Sequence, residues 1–155
     1  MFSAESDSVD FLLVQIIRLF QQRSHCLFGR IGIYPGQPPV LFRLWKQDGR
    51  TQKELAEKLL LKPATLTLIL QRMERDGLVE RRPDPADQRI SRVYLTEKGK
   101  KLREPVEKAI KEREREILQG FTAEEKLLLR RFLIRVRDNL AKGCGTAGCF
   151  CKPAL

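Results

Sequence analysis

The sequence predicts a mainly α fold with one small β-hairpin, and three observations carry that expectation. Apolar residues recur at helical spacing through most of the chain, two short helical stretches follow each other within a few residues, and an alternating pattern around a proline-bearing polar loop comes directly after them. At 155 residues with 42% apolar content, the chain is one domain able to bury a core without a metal or disulfide scaffold.

Residues 8–29 place Val9, Leu12, Leu13, Ile16, Ile17, Leu19 and Phe20 near one helical face. The stretch from Ile31 to Pro39, with two glycines and three prolines, predicts a turn into a second helix over about Pro39 to Gln47. A third helix fits Thr51 to Leu60, with Thr51 as N-cap and Glu54 completing a capping box. A fourth fits Pro63 to Arg75, apolar at Leu66, Ile69, Leu70 and Met73 and stopped by Gly77. Extended runs at Leu78 to Arg82 and Arg89 to Leu95 flank the loop Pro83 to Gln88. Thr96 opens a long charged helix to about Leu118, expected to kink at Pro105, which lacks an N–H. Thr122 begins the last helix, apolar at Leu128, Leu129, Phe132, Leu133, Val136 and Leu140.

Charge narrows the function. Thirty Lys and Arg against twenty Asp and Glu give +10, the balance that attracts phosphate polyanions or anionic membrane surfaces. Residues 50–101, which hold the two short helices and the hairpin, carry 13 basic and 8 acidic side chains, so the excess lies on those elements. No apolar run approaches the roughly 20 residues a bilayer requires, and the acidic start (Glu5, Asp7, Asp10) is not a secretory signal. The expected location is the cytoplasm, with no membrane partner. One histidine, no nucleophile paired with a base and no Gly-rich phosphate loop argue against an enzyme.

Two short helices followed by a hairpin form a winged helix-turn-helix. The second helix fits a major groove, the first braces it, and basic side chains at the hairpin tip reach the adjacent minor groove. The run from Thr51 to Leu102 resembles the MarR family of transcriptional regulators: ELAEKL in the supporting helix, RMERDGLVERR ending the recognition helix, DPADQR in the wing and VYLTEKG at its exit. The preceding YPGQPPVLFRLW is similar to the family's approach to its second helix. With the helical patterns at both ends, the resemblance covers about residues 8–141.

The resemblance implies a DNA-facing set of Thr51, Ala64, Thr65, Thr67, Leu68, Gln71, Arg72, Arg75, Arg82, Asp87, Arg89 and Arg92. Thr hydroxyls hydrogen-bond bases or phosphates, and Ala or Leu carbons touch a thymine methyl. Leu68 departs from the family, where that position frequently holds a polar or basic residue, which shifts readout toward Gln71 and the wing. Arg89 matches the family's wing arginine, with Asp87 expected to orient its guanidinium. Arg72, Arg75, Arg82 and Arg92 are assigned to phosphates or to structural ion pairs.

The apolar faces of both terminal helices exceed what a small winged domain covers, so a homodimer is expected, with a two-fold axis matching an inverted-repeat duplex. Residues 8–35 and 105–141 then serve mainly dimerisation, 39–102 form the DNA-binding lobe, and 142–155 are a Gly- and Cys-rich tail. The family places a small-molecule effector between dimer helices and lobe, which implies Arg23, His25, Cys26, Arg30, Tyr34 and Trp45 as candidates. Relatives that sense organic peroxide carry a reactive Cys early in the first helix; here Cys26 is near its end, and that chemistry is not carried over. Cys144, Cys149 and Cys151 offer three thiols without a paired C-x-x-C, so no metal and no cofactor are expected.

The resulting expectation is a repressor released by a ligand or redox signal. The competing expectations are a non-specific DNA-binding architectural protein and a metal- or redox-binding protein using the tail.

Overall fold

The computed structural model describes residues 8–144. In order these form α1 (Val9–Gly29), α2 (Gln37–Lys46), β1 (Arg50–Thr51), α3 (Gln52–Leu59), α4 (Pro63–Arg75), β2 (Val79–Pro83), β3 (Ser91–Leu95), α5 (Glu97–Lys101), α6 (Arg103–Ile117) and α7 (Ala123–Cys144). The mainly α reading with one hairpin holds. The sheet has a third strand that periodicity did not reveal: β1 pairs antiparallel with β3, Arg50 opposite Val93, giving the order β1-β3-β2. Two residues are too few to show an alternation.

The core lies where α2, α3 and α4 close over this sheet. Ile33, Val40, Leu41, Leu44, Leu55, Leu66, Leu70, Met73, Leu78, Val93 and Val106 are all buried within it. Each such aliphatic side chain removed from water contributes about 1.5–3 kcal/mol. The burial follows the sequence period. In α4 the inward residues are Leu66, Leu70 and Met73, three and four apart, and in β3 they are Val93 and Leu95, two apart.

Gln37 is a polar residue inside this frame. Its Oε1 accepts from the Tyr34 N–H at 2.9 Å and its Nε2 donates to Asp76 Oδ2 at 3.0 Å. The start of α2 is thereby fixed to the end of α4, and the cost of burying an amide is offset by two partners.

The long charged helix breaks earlier than expected. α5 ends at Lys101, and Leu102 is both its C-cap and the N-cap of α6. The carbonyl that Pro105 cannot bond is that of Lys101, so the interruption falls where the missing N–H would have been needed, and Pro105 sits in the first turn of α6. At the other end, α7 continues through Cys144, so the first residues read as tail are helical. Cys149 and Cys151 lie outside the described residues.

α1 and α7 keep most of their large apolar residues in the open. Leu127 is 70% and Leu19 64% exposed, and Ile16, Ile17, Leu128, Phe132, Leu133 and Leu140 are exposed with them.

Candidate nucleic-acid interface

The helix-turn-helix starts from a complete capping box. Thr51 Oγ1 accepts from the Glu54 N–H at 3.1 Å, and Glu54 Oε2 accepts from the Thr51 N–H at 2.7 Å. That backbone hydrogen bond from Thr51 holds the Glu54 carboxyl below its ordinary pKa. The Thr51 hydroxyl, placed in the DNA-facing set from sequence, is thus engaged in the cap.

α3 ends with the Leu60 N–H on Glu57 O at 3.3 Å and the Leu61 N–H on Ala56 O at 3.0 Å, a Schellman closure with Leu60 left-handed at φ 53°. α4 ends the same way, its Leu78 N–H on Met73 O at 2.8 Å and Gly77 at φ 70°. Between them Pro63 opens α4 in its first position, where an N–H is dispensable.

Opposite the buried face of α4, residues Ala64, Thr65, Leu68, Gln71, Arg72 and Arg75 are exposed. Ala64, Leu68, Gln71 and Arg75 fall at i, i+4, i+7 and i+11, one stripe along the helix. Thr67 lies off this stripe and is half-buried. Its hydroxyl donates to Pro63 O at 2.9 Å and accepts from Gln52 Nε2 at 2.6 Å. Gln52 escaped the sequence reading because a glutamine at the start of a helix carries no signal that it reaches a residue fifteen positions away.

The wing is organised by Asp84, which sequence reasoning also passed over. Buried at the end of β2, its Oδ1 accepts from the Ala86 N–H at 2.7 Å and the Asp87 N–H at 3.2 Å, and its Oδ2 accepts from Arg92 Nε. The Arg92 guanidinium holds the Asp84 carboxyl below the usual carboxylate range, and Asp84 in turn raises Arg92. Arg92 also donates to Gly49 O at 2.8 Å, joining the wing to the segment before β1. Of the two roles the sequence left open for Arg92, the structure shows the ion pair. Arg82 pairs with Glu80 and lies over the Tyr94 ring at 5.1 Å.

Asp87 departs from its expected role of orienting Arg89. Its Oδ1 accepts from the Arg89 main-chain N–H at 2.9 Å, so it shapes the tip backbone instead of holding the guanidinium. A short Asp side chain two residues before an N–H satisfies that N–H more readily than a long, mobile guanidinium. Arg89 is exposed at the tip, and among the described residues its side chain has no hydrogen-bond or ion-pair partner.

The six effector candidates have several environments. Arg23 donates from Nε to Glu116 Oε2 at 2.7 Å and reaches Glu112 at 3.5 Å, while Arg30 approaches Glu112 at 3.9 Å. The hydrogen bond to Glu116 raises the Arg23 pKa and lowers that of Glu116. Trp45 is engaged elsewhere: Nε1 donates to Gly99 O at 3.0 Å and the ring meets Phe42 edge-on. His25, Cys26 and Tyr34 are exposed. A hollow of about 690 Å³ at the α6–α7 elbow, lined by Lys111, Arg115, Phe121 and Lys126 among others, includes none of the six.

A braced helix presenting one open stripe, beside a basic hairpin, defines a winged helix-turn-helix protein of the DNA-binding class. The family model described as MarR family matches residues 33–91. The HTH-type transcriptional regulator YybA of Bacillus subtilis (strain 168) is 31% identical over 128 residues, 82% of this chain and 85% of that protein. Among solved structures, a MarR transcriptional regulator from Methanosarcina mazei Go1 superposes with a TM-score of 0.71 at 28% identity, covering 85% of this chain and 96% of that one. Reduced AbfR bound to DNA superposes with a TM-score of 0.64 at 27% identity, covering 85% and 90%. The chain belongs to the MarR family of transcriptional regulators.

Proposed function

We propose that this regulator acts as a homodimer on an inverted-repeat duplex, inserting α4 in the major groove and the Arg89 wing tip in the minor groove, and that it represses transcription by occupying that site. The observation that carries the reading is the open stripe Ala64, Leu68, Gln71 and Arg75 on α4, with the Arg89 side chain unpaired among the described residues at the tip of an internally cross-linked wing. A guanidinium without an internal partner loses nothing within the protein when it meets phosphate or a narrow groove. The exposed apolar faces of α1 and α7 support a second copy as their cover.

Release by a small ligand or redox signal completes the reading. Arg23, Glu112 and Glu116 tie α1 to α6, which continues from the wing exit, so a molecule that separates these charges would reach both the dimer helices and the lobe.

Selecting duplexes from a randomised pool and titrating the winner against random sequence at fixed salt tests the function. Strong preference for one inverted repeat, with a sedimentation mass of two chains, is the expected result; equal affinity for all duplexes would leave an architectural binder. That second reading is favoured by Leu68, 58% exposed in the middle of the stripe and unable to hydrogen-bond a base.

A further inference from the structure

We propose that Gln52 is a positioning residue for DNA recognition, and that its bond to Thr67 is a strut that sets α4 against α3 and keeps the Thr67 proton from base readout. The inference rests on the DNA reading above and assigns work within it.

The chemistry of a single hydroxyl makes the argument. A threonine has one proton to donate, and the Thr67 hydroxyl gives it to Pro63 O at 2.9 Å while accepting from Gln52 Nε2 at 2.6 Å. To donate to a purine N7 or a thymine O4 it would have to abandon the Pro63 carbonyl. Its neighbours Thr65 and Leu68 are exposed, and Thr67 is half-buried.

Gln52 suits the other end of the strut. It is the first residue of α3, held directly after the Thr51 capping box, so its main chain is fixed before its side chain crosses to α4. The helices otherwise share the buried cluster that holds Leu55, Leu59, Leu66 and Leu70, and apolar burial is non-directional, so it resists separation far better than rotation or sliding. Among the described residues, Gln52 to Thr67 is the only side-chain hydrogen bond between α3 and α4. It therefore supplies the directional restraint at the end of α4 that enters the groove.

The test uses the full chain and the duplex that wild-type protein selects from a randomised pool. Thr67→Val, Thr67→Ser, Gln52→Met and the Gln52→Met/Thr67→Val double variant are titrated on that duplex and on every single-base variant of it, well below their melting temperatures. Thr67→Val and Gln52→Met should each weaken binding about fivefold per half-site on all duplexes, the worth of one hydrogen bond in each protomer, with base preferences unchanged. The double variant should be no weaker than either single one, and Thr67→Ser should regain wild-type affinity. A changed base preference in Thr67→Val, additive losses in the double variant, or wild-type affinity in both singles would overturn the strut while leaving the DNA reading intact. A wild-type protein that selects no duplex would overturn both.

Discussion

Gly99 lies so close to Leu78 that a Cβ on it would drive into the Leu78 carbonyl oxygen. That oxygen also accepts from the Thr96 N–H at 3.1 Å, and the Thr96 hydroxyl donates to Gly77 O at 2.6 Å. Gly99 O in turn accepts from Trp45. The exit from the wing is thus seated on the segment that leaves the recognition helix, and α2 is fastened to both. Only a residue without a side chain permits this approach.

Gly99→Ala should destabilise the fold by at least about 2 kcal/mol, because the added methyl meets main chain and not a yielding side-chain end. Urea denaturation monitored by helicity measures it. Gly29→Ala, where among the described residues a Cβ would meet nothing within 4 Å, is the control and should cost far less.

Leu60 makes a prediction of opposite sign. It holds the left-handed turn of the α3 Schellman closure at φ 53°, a conformation that costs a residue with a side chain about 1–2 kcal/mol. Leu60→Gly should therefore be more stable than Leu60→Ala by about 0.5–1 kcal/mol, the strain relieved less the extra chain entropy of glycine. Comparing the two variants cancels the packing lost with the Leu side chain. A Leu60→Ala variant more stable than Leu60→Gly by the full entropy cost of glycine would show that the turn is unstrained.

These residues mark what the sequence carries and what it does not. Helices were legible because burial repeats every 3.6 residues and because Thr51, Glu54, Pro63 and Gly77 announce their ends locally. The open face of α4 followed from the same period. The contacts of Gln52, Asp84 and Trp45 were not legible, since each joins groups brought near only by the tertiary fold. Asp87 was misread for a related reason. Spacing puts it near Arg89, but only the tip backbone decides that it takes the main-chain N–H in place of the guanidinium.

The wing should make the protein acid-sensitive. Asp84 is held below its ordinary pKa by the hydrogen bond from Arg92, so its stabilising contribution is complete above the unfolded carboxylate value of about 4 and is lost as pH falls through the folded value. Glu116, lowered by its hydrogen bond from Arg23, and Glu97, lowered by Lys100, act in the same sense. Melting temperature should thus fall as pH is taken below about 4, and Asp84→Asn should start lower and fall less steeply. Parallel pH curves for the two proteins would mean that Asp84 has the same affinity for protons folded and unfolded.

Arg89 and Arg92 stand three residues apart on the wing, and replacing them should fail in different ways. Arg92 is committed to Asp84 and Gly49 O, so Arg92→Ala leaves a buried carboxylate without its cation and loosens the wing from β1. It should lower the melting temperature as well as the affinity for DNA. Arg89 has no internal side-chain partner among the described residues, so Arg89→Ala should leave the melting temperature unchanged. Its cost should appear only on the duplex, as the loss of one charge-assisted contact of about 1–3 kcal/mol per half-site. Both half-sites of a dimer would register it. Affinity should become less steeply dependent on salt if the contact is to phosphate, and lose preference for a narrow A·T minor groove if the guanidinium sits in the groove itself. Titrations of both variants at several salt concentrations, on the selected duplex and on one whose minor-groove steps are replaced by G·C, separate these outcomes. Wild-type affinity for Arg89→Ala at every salt concentration would remove the wing tip from the interface.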